Sequence, residues 1–387
     1  MKIILFLALF LTTESFAQGK DASYNAGGYL NYLLSRSNIP ALGNLTDQLL
    51  QGRLNTKWYA SDAFTFDCEI RARVYDGGTV EETPQFIDLI RNTNEYAHLD
   101  AILWNSKSSE GLAEIDRLWA DWNCEHWDIT VGRQRFALGT NLVWNPTDLF
   151  NPYSILDFNY EERPGFDGVR AQYYLGPLSK IEIAAKPGRT SSTAVTALVY
   201  TTNIYKYDFH ILIANRSELW LFGGSWAGDI CGAGFRGEAT VSQKPIQAVP
   251  GVYDFSKKDG TMSSAAISAD YTFASSLYIH VESLYNSAGV SQDAGSFTQQ
   301  SQQLELLSPA HWSLFGEISY NITPLVRGSI FSILNPTDRS YVLVPSVTWS
   351  VLTNLDLMLL AIISQGDAKT EYAGYGKSGY VRVQWSF

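Results

Sequence analysis

From Leu50 to Ala60 the chain alternates small or apolar side chains with polar ones. Leu50, Gly52, Leu54, Thr56, Trp58 and Ala60 are interleaved with Gln51, Arg53, Asn55, Lys57 and Tyr59. After Ser61-Asp62 the alternation resumes, Phe64, Phe66, Cys68, Ile70, Ala72 and Val74 against Thr65, Asp67, Glu69, Arg71, Arg73 and Tyr75. Successive side chains of a strand point to opposite faces, so 48–60 and 63–75 predict two long strands with one apolar and one densely charged face. A soluble sandwich also buries one face, but it seldom carries so much charge on the other. A wall with lipid outside and water inside requires this pattern.

The same pattern marks eighteen candidate strands between residues 24 and 387. Every second connection is short, among them Ser61-Asp62, Asn123 to Glu125, Gly176-Pro177, Ala274 to Ser276 and Val351 to Asn354. The intervening ones are mostly longer, with 76–110, 139–165, 242–262 and 288–309 the largest. Segregation of loop length by parity fits an up-and-down barrel with short periplasmic turns and long outer loops. Trp58, Trp122, Trp127, Trp226, Trp349 and Trp385, six of the eleven tryptophans, fall near the short turns or the C-terminus. That is where an amphipathic indole settles between hydrocarbon and headgroup. The expected fold is therefore all-β: a closed transmembrane antiparallel barrel of eighteen strands, or sixteen if the short runs near 204–226 are misassigned.

Met1–Ala17 reads as a signal peptide, with Lys2, an apolar run from Ile3 to Leu11 and the small-x-small site Ser15-Phe16-Ala17. The expected organisation is 1–17 as signal and 18–387 as one barrel domain. The longest later apolar stretch, Leu355 to Ile363, holds nine residues and includes Asp356. It is too short for a spanning helix. The formal net charge of −11 argues against a nucleic-acid partner. Cys68, Cys124 and Cys231 match no metal spacing, and a disulfide is left open. The five histidines lie in no hydrolase or metalloprotease motif, and His280 with Glu282 is the nearest approach to a catalytic pair. No catalytic group, metal or cofactor is expected.

The last strand places Gly379, Val381, Val383, Trp385 and Phe387 on one face, ending on an aromatic residue. It resembles the C-terminal strand of Gram-negative outer-membrane proteins that the barrel-insertion machinery reads, through Val383, Trp385 and Phe387 here. The layout of the mature chain resembles the porin superfamily. Gly132-Arg133-Gln134-Arg135 and Asn145-Pro146-Thr147-Asp148-Leu149-Phe150-Asn151-Pro152 are similar to segments of uncharacterised porin-like proteins. The resemblance implies an outer-membrane location, and the even strand number implies periplasmic termini. The partners it implies are outer-membrane lipid, the insertion machinery and small hydrophilic solutes. A homo-oligomer is left open.

Projected inward, the strands offer Arg53, Lys57, Asp67, Glu69, Arg71, Arg73, Arg117, Asp121 and Arg170 as pore-lining residues, with either Arg133 or Arg135 after a bulge at Gly132. In general porins, as the resemblance implies, the third outer loop folds into the lumen. Here that loop, 139–165, carries Asp148, Asp157, Glu161 and Glu162 together with Trp144, Phe150 and Phe158. The expectation is that Arg71, Arg73 and Arg117 face Asp148, Asp157 or Glu161 across a constriction. A channel for small hydrophilic solutes is the first functional reading. A barrel scaffold docking a periplasmic or surface partner is the second.

Overall fold

The computed structural model describes residues 23–91, 95–150, 156, 158–159, 162–188, 194–216, 219–243, 260–303 and 306–387. The expected signal segment, and Asp157 and Glu161 of the third loop, lie outside these residues. The described strands are β1 (Tyr24–Ile39), β2 (Gly43–Tyr59), β3 (Phe64–Gly77), β4 (Asp100–Asn105), β5 (Ser109–Cys124), β6 (Trp127–Gln134), β7 (Phe166–Gly176), β8 (Ser179–Lys186), β9 (Val195–Ile204) and β10 (Tyr207–Arg216). They continue as β11 (Leu219–Ile230), β12 (Ala233–Gln243), β13 (Thr261–Thr272), β14 (Leu277–Asn286), β15 (Trp312–Thr323), β16 (Val326–Asn335), β17 (Ser340–Leu352), β18 (Leu355–Gln365) and β19 (Lys377–Ser386). All pairings are antiparallel between neighbours, and β1 pairs with β19, so the sheet closes into an eighteen-stranded barrel with β4 as an added strand. The runs near 204–226 are both wall strands, which settles eighteen over sixteen.

The alternation sorts the side chains as expected. Gln51 and Arg53 are buried, whereas Val281, Ile318, Leu359 and Val381 on the outward face are exposed. Trp58 stands beside Phe66, and Phe64 beside Trp122, so these indoles share the short-turn end. Closure at the seam depends on Gly28. It exchanges backbone hydrogen bonds with Phe387 at 3.0 Å each way. A Cβ there would meet the Arg53 carbonyl at 2.1 Å and the Phe387 ring at 3.0 Å. Gly28→Val is expected to destabilise the seam by about 1–3 kcal/mol through overpacking. A lowered temperature for the folded-to-unfolded mobility change on gels checks this.

Three features depart from the sequence reading. The alternation predicts strands over 24–34 and 48–60 with a loop between them, but β1 and β2 run on, paired, to a tight turn at 40–42. The connection 76–110 is not a plain loop: it carries α1 (Gly78–Glu82), α2 (Phe86–Ile90) and β4. The alternating run over 126–138 predicts a longer strand than β6, which ends at Gln134. The last two are linked. β6 covers only Leu118–Cys124 of β5, and β4 takes the edge at Glu110–Glu114. The residues before β4 then reach β7 and β8. The Ala97 N–H donates to Asp167, Glu95 accepts from the Asp167 N–H, and Lys186 pairs with Glu95 at 2.6 Å. The gap left in the wall by the short β6 is thus closed from the neighbouring loop.

At the end opposite the tryptophans, Glu371 in the β18–β19 connection accepts hydrogen bonds from Ser308 and Asn335 at 3.0 Å, tying three connections together. Burial pushes its carboxyl up to about 7 from the ordinary 4.5. A carboxyl raised by folding binds its proton more tightly in the closed arrangement. The stabilisation is therefore complete below about pH 4.5 and lost as pH rises through about 7. Hydrogen-exchange protection of 366–376 is expected to fall across that interval and to be pH-independent in Glu371→Gln.

Candidate functional site in the barrel lumen

The inward faces of β2, β3 and β5 form a charged arc whose register decides its chemistry. Arg53 stands directly opposite Arg71, Lys57 opposite Asp67, and Asn55 opposite Glu69. Two arginines side by side repel unless carboxylates intervene. The β3–β5 register shifts between Glu69 and Ile70, which inserts Asp116 as the bulge residue between Ile115 and Arg117. That bulge lets Glu114, Asp116 and Arg117 all join the inward network. Arg53, wholly buried, meets Asp116 at 2.6 Å, Glu162 at 3.6 Å and Glu69 more closely still. Arg71 and Arg73 share the Glu114 carboxylate, with Nε of Arg71 at 2.7 Å and Nη2 of Arg73 at 3.0 Å.

Of the loop carboxylates expected to face Arg71, Arg73 and Arg117, Asp157 and Glu161 lie outside the described residues, and the described partners of Arg71 and Arg73 are on the wall. Arg71 and Arg73 both pair with Glu114 on the wall, and Arg117 donates to the backbone carbonyls of Glu162 and Arg163 at 2.9 and 2.6 Å. Asp148 is buried elsewhere, beside Arg216 and Thr240 in a cleft of 250 Å³. Glu162, through Arg53, is the described loop carboxylate that engages the arc. Glu114 and Asp116 were missed because strict alternation across β5 cannot place Glu114, Asp116 and Arg117 on one side.

The segment after β6 meets inward-facing side chains from widely separated strands. Glu238 on β12 accepts from the N–H groups of Asn141 and Thr147 at 2.9 and 3.1 Å and from the Thr147 hydroxyl at 2.7 Å. Glu282 on β14 accepts from the N–H groups of Val143 and Trp144 at 3.1 and 2.6 Å. A carboxylate receiving several N–H donors satisfies loop backbone that would otherwise be buried unpaired. Phe136, Leu138, Leu149 and Phe150 pack on Ala197, Val199 and Leu212 of β9 and β10. Val143 and Trp144 pack on Leu284, Phe315 and Val342 of β14, β15 and β17. Farther along, Phe158 lies 4.8 Å from the Tyr380 ring, and its carbonyl accepts from Arg382 at 3.3 Å. The alternation of β12 and β14 puts Glu238 and Glu282 on the inward face. It did not show that backbone amides are their partners. His280 lies 3.4 Å from a Glu282 carboxylate that is already engaged by the loop, so the pair serves as an anchor.

Against the arc lies a cavity of 520 Å³ whose lining includes Lys57, Asp67, Asp121, Asp128, Arg135 and Arg170, with Glu162 from the loop. Lys57 stands over the Trp119 ring at 5.3 Å. Arg170 is held by Glu182 at 2.7 Å and lies over Phe136. The sequence left Arg133 and Arg135 as alternatives: Arg135 lines the cavity, and Arg133 is buried against Asp167 at 2.7 Å. The cavity wall thus mixes both signs of charge.

Several solved structures superpose on this closed barrel over nearly its whole length. OccAB1 of Acinetobacter baumannii superposes with a TM-score of 0.58 at 12% identity, over 97% of this chain and 99% of that one. OccK9 (OpdG) of Pseudomonas aeruginosa gives 0.59 at 10% identity, covering 96% and 100%. The outer membrane protein OprD of Pseudomonas aeruginosa gives 0.56 at 8% identity, covering 96% and 95%. This is the porin fold. No family model and no curated protein matches the sequence. Identities this low carry the architecture of the porin fold to this chain and nothing about solutes.

Proposed function

We propose that the chain is an outer-membrane channel of the porin type for small hydrophilic solutes, with the segment 139–165 narrowing its lumen. The observation that carries this reading is the anchoring of that segment by Glu238 and Glu282 on strands far around the barrel from Arg53 and Arg117, with a polar cavity along the charged arc beside Glu162. A scaffold would have no need of a polar passage lined with both charge signs. Lys57, Asp67, Glu69, Arg117 and Arg170, with Glu162, are the side chains that solutes would meet. Arg53, Arg71 and Arg73 hold the arc in shape through their carboxylate partners.

In this reading the short-turn end, with its tryptophan girdle and both ends of the barrel domain, faces the periplasm, and Val383, Trp385 and Phe387 guide insertion. Water-filled pores with opposed charges orient polar solutes by their dipoles. Liposomes containing the purified chain are expected to swell in small sugars at rates that fall steeply with solute size. Rates equal to those of protein-free liposomes for every sugar would remove the channel reading and leave the docking scaffold.

A further inference from the structure

A groove of 830 Å³ crosses the outward faces of β15 to β19 and β1. Its floor is cut by the small side chains of Gly328, Ala361 and Gly379, and its sides are Leu34, Ile330 and Val381. One charged residue lines it, Arg36. The register sets Arg36 opposite Gly379 and Lys377 opposite Asn38, so the two cations are diagonal neighbours on one face. Both are exposed, and neither pairs with a carboxylate among the described residues. They sit toward the end that carries the long connections, β19 beginning at Lys377 and β1 turning four residues after Arg36.

A cation on the lipid-facing side of a barrel is tolerated only near headgroup height, where a fixed anion can answer it. An apolar trough that opens onto two uncompensated cations is complementary to one amphiphile: acyl chain in the trough, phosphate on the cations. A second copy of the chain would have to supply a carboxylate to the same place, and the outward faces of β15 to β19 hold none. We propose that this groove is a binding site for one phosphorylated glycolipid of the outer leaflet, its phosphate held by Arg36 and Lys377. The proposal rests on the orientation given under the proposed function, with long connections outward.

The test is native mass spectrometry of the full chain in detergent, titrated with deep-rough lipopolysaccharide, the same glycolipid dephosphorylated, and phosphatidylglycerol. One phosphorylated glycolipid per barrel is expected, with the dephosphorylated form and phosphatidylglycerol each retained at least tenfold less. Arg36→Gln with Lys377→Gln should remove the phosphate preference. Gly379→Leu, which fills the trough and leaves both cations, should lower retention of both glycolipids alike. Each variant is first shown to keep wild-type conductance, which separates loss of this site from loss of the channel. Equal retention of the phosphorylated and dephosphorylated forms, preference for phosphatidylglycerol, or a self-associated barrel that Gly379→Leu splits into monomers would each overturn the proposal.

Discussion

Excising residues 147–160 is expected to raise single-channel conductance roughly two- to fivefold, since conductance is set by the narrowest section of a water-filled pore. The deletion removes Leu149 and Phe150 from their packing on β9 and β10, and Phe158 from Tyr380, and leaves only short stubs held at the wall by Glu238, Glu282 and Arg117. A subtler variant separates the anchors from the loop itself. Glu238→Ala with Glu282→Ala leaves the loop sequence intact but strands the N–H groups of Asn141, Val143, Trp144 and Thr147. Buried donors without acceptors cost about 1–3 kcal/mol each. The segment is then expected to leave the wall intermittently, giving open-channel noise that the parent lacks. Unchanged conductance after the deletion would mean that ions pass without meeting the loop.

Arg53→Ala is expected to be the most destabilising single change in the arc. The guanidinium is fully buried and sits among Glu69, Asp116 and Glu162. Removing one partner of a buried ion pair typically costs about 3–5 kcal/mol, because the remaining charge is left uncompensated. Three carboxylates would be left with one fewer cation between them, so the variant should also become more cation-selective. Arg53→Lys should recover only part of the stability, since an ammonium cannot fork to carboxylates on separate strands. The unfolding midpoint in denaturant and the reversal potential in a salt gradient report the two effects separately. If Arg53→Ala matched the parent in both, the arc would not depend on this residue.

The wall was legible because lipid on one side and water on the other impose period-two alternation wherever a strand crosses hydrocarbon. That is why the alternating runs 277–287, 310–320, 325–334, 340–350 and 355–365 match β14 to β18 within a few residues. Legibility failed where the constraint stops. The outer halves of β1 and β2, with Ser35, Arg36, Ser37 and Asn38, read as loop because their outward face no longer has to be apolar. β4, Asp-Ala-Ile-Leu-Trp-Asn, has no alternation and only one strand partner, β5. At the site, the charged arc was visible as a set of residues, whereas its partnerships were not. One inserted residue, Asp116, brings Glu114 within reach of Arg71 and Arg73, and no spacing rule marks where a bulge falls. The third loop's aromatic residues signalled burial, but the walls that receive Trp144 and Phe150 lie 100 or more and about 50 residues away in sequence.

The most direct test of the channel reading is reconstitution of the purified, refolded chain into planar bilayers. Discrete conductance steps of uniform size, proportional to voltage at low potentials, are the predicted result. A barrel shown to be folded and inserted that yields no steps above the bare bilayer would contradict it.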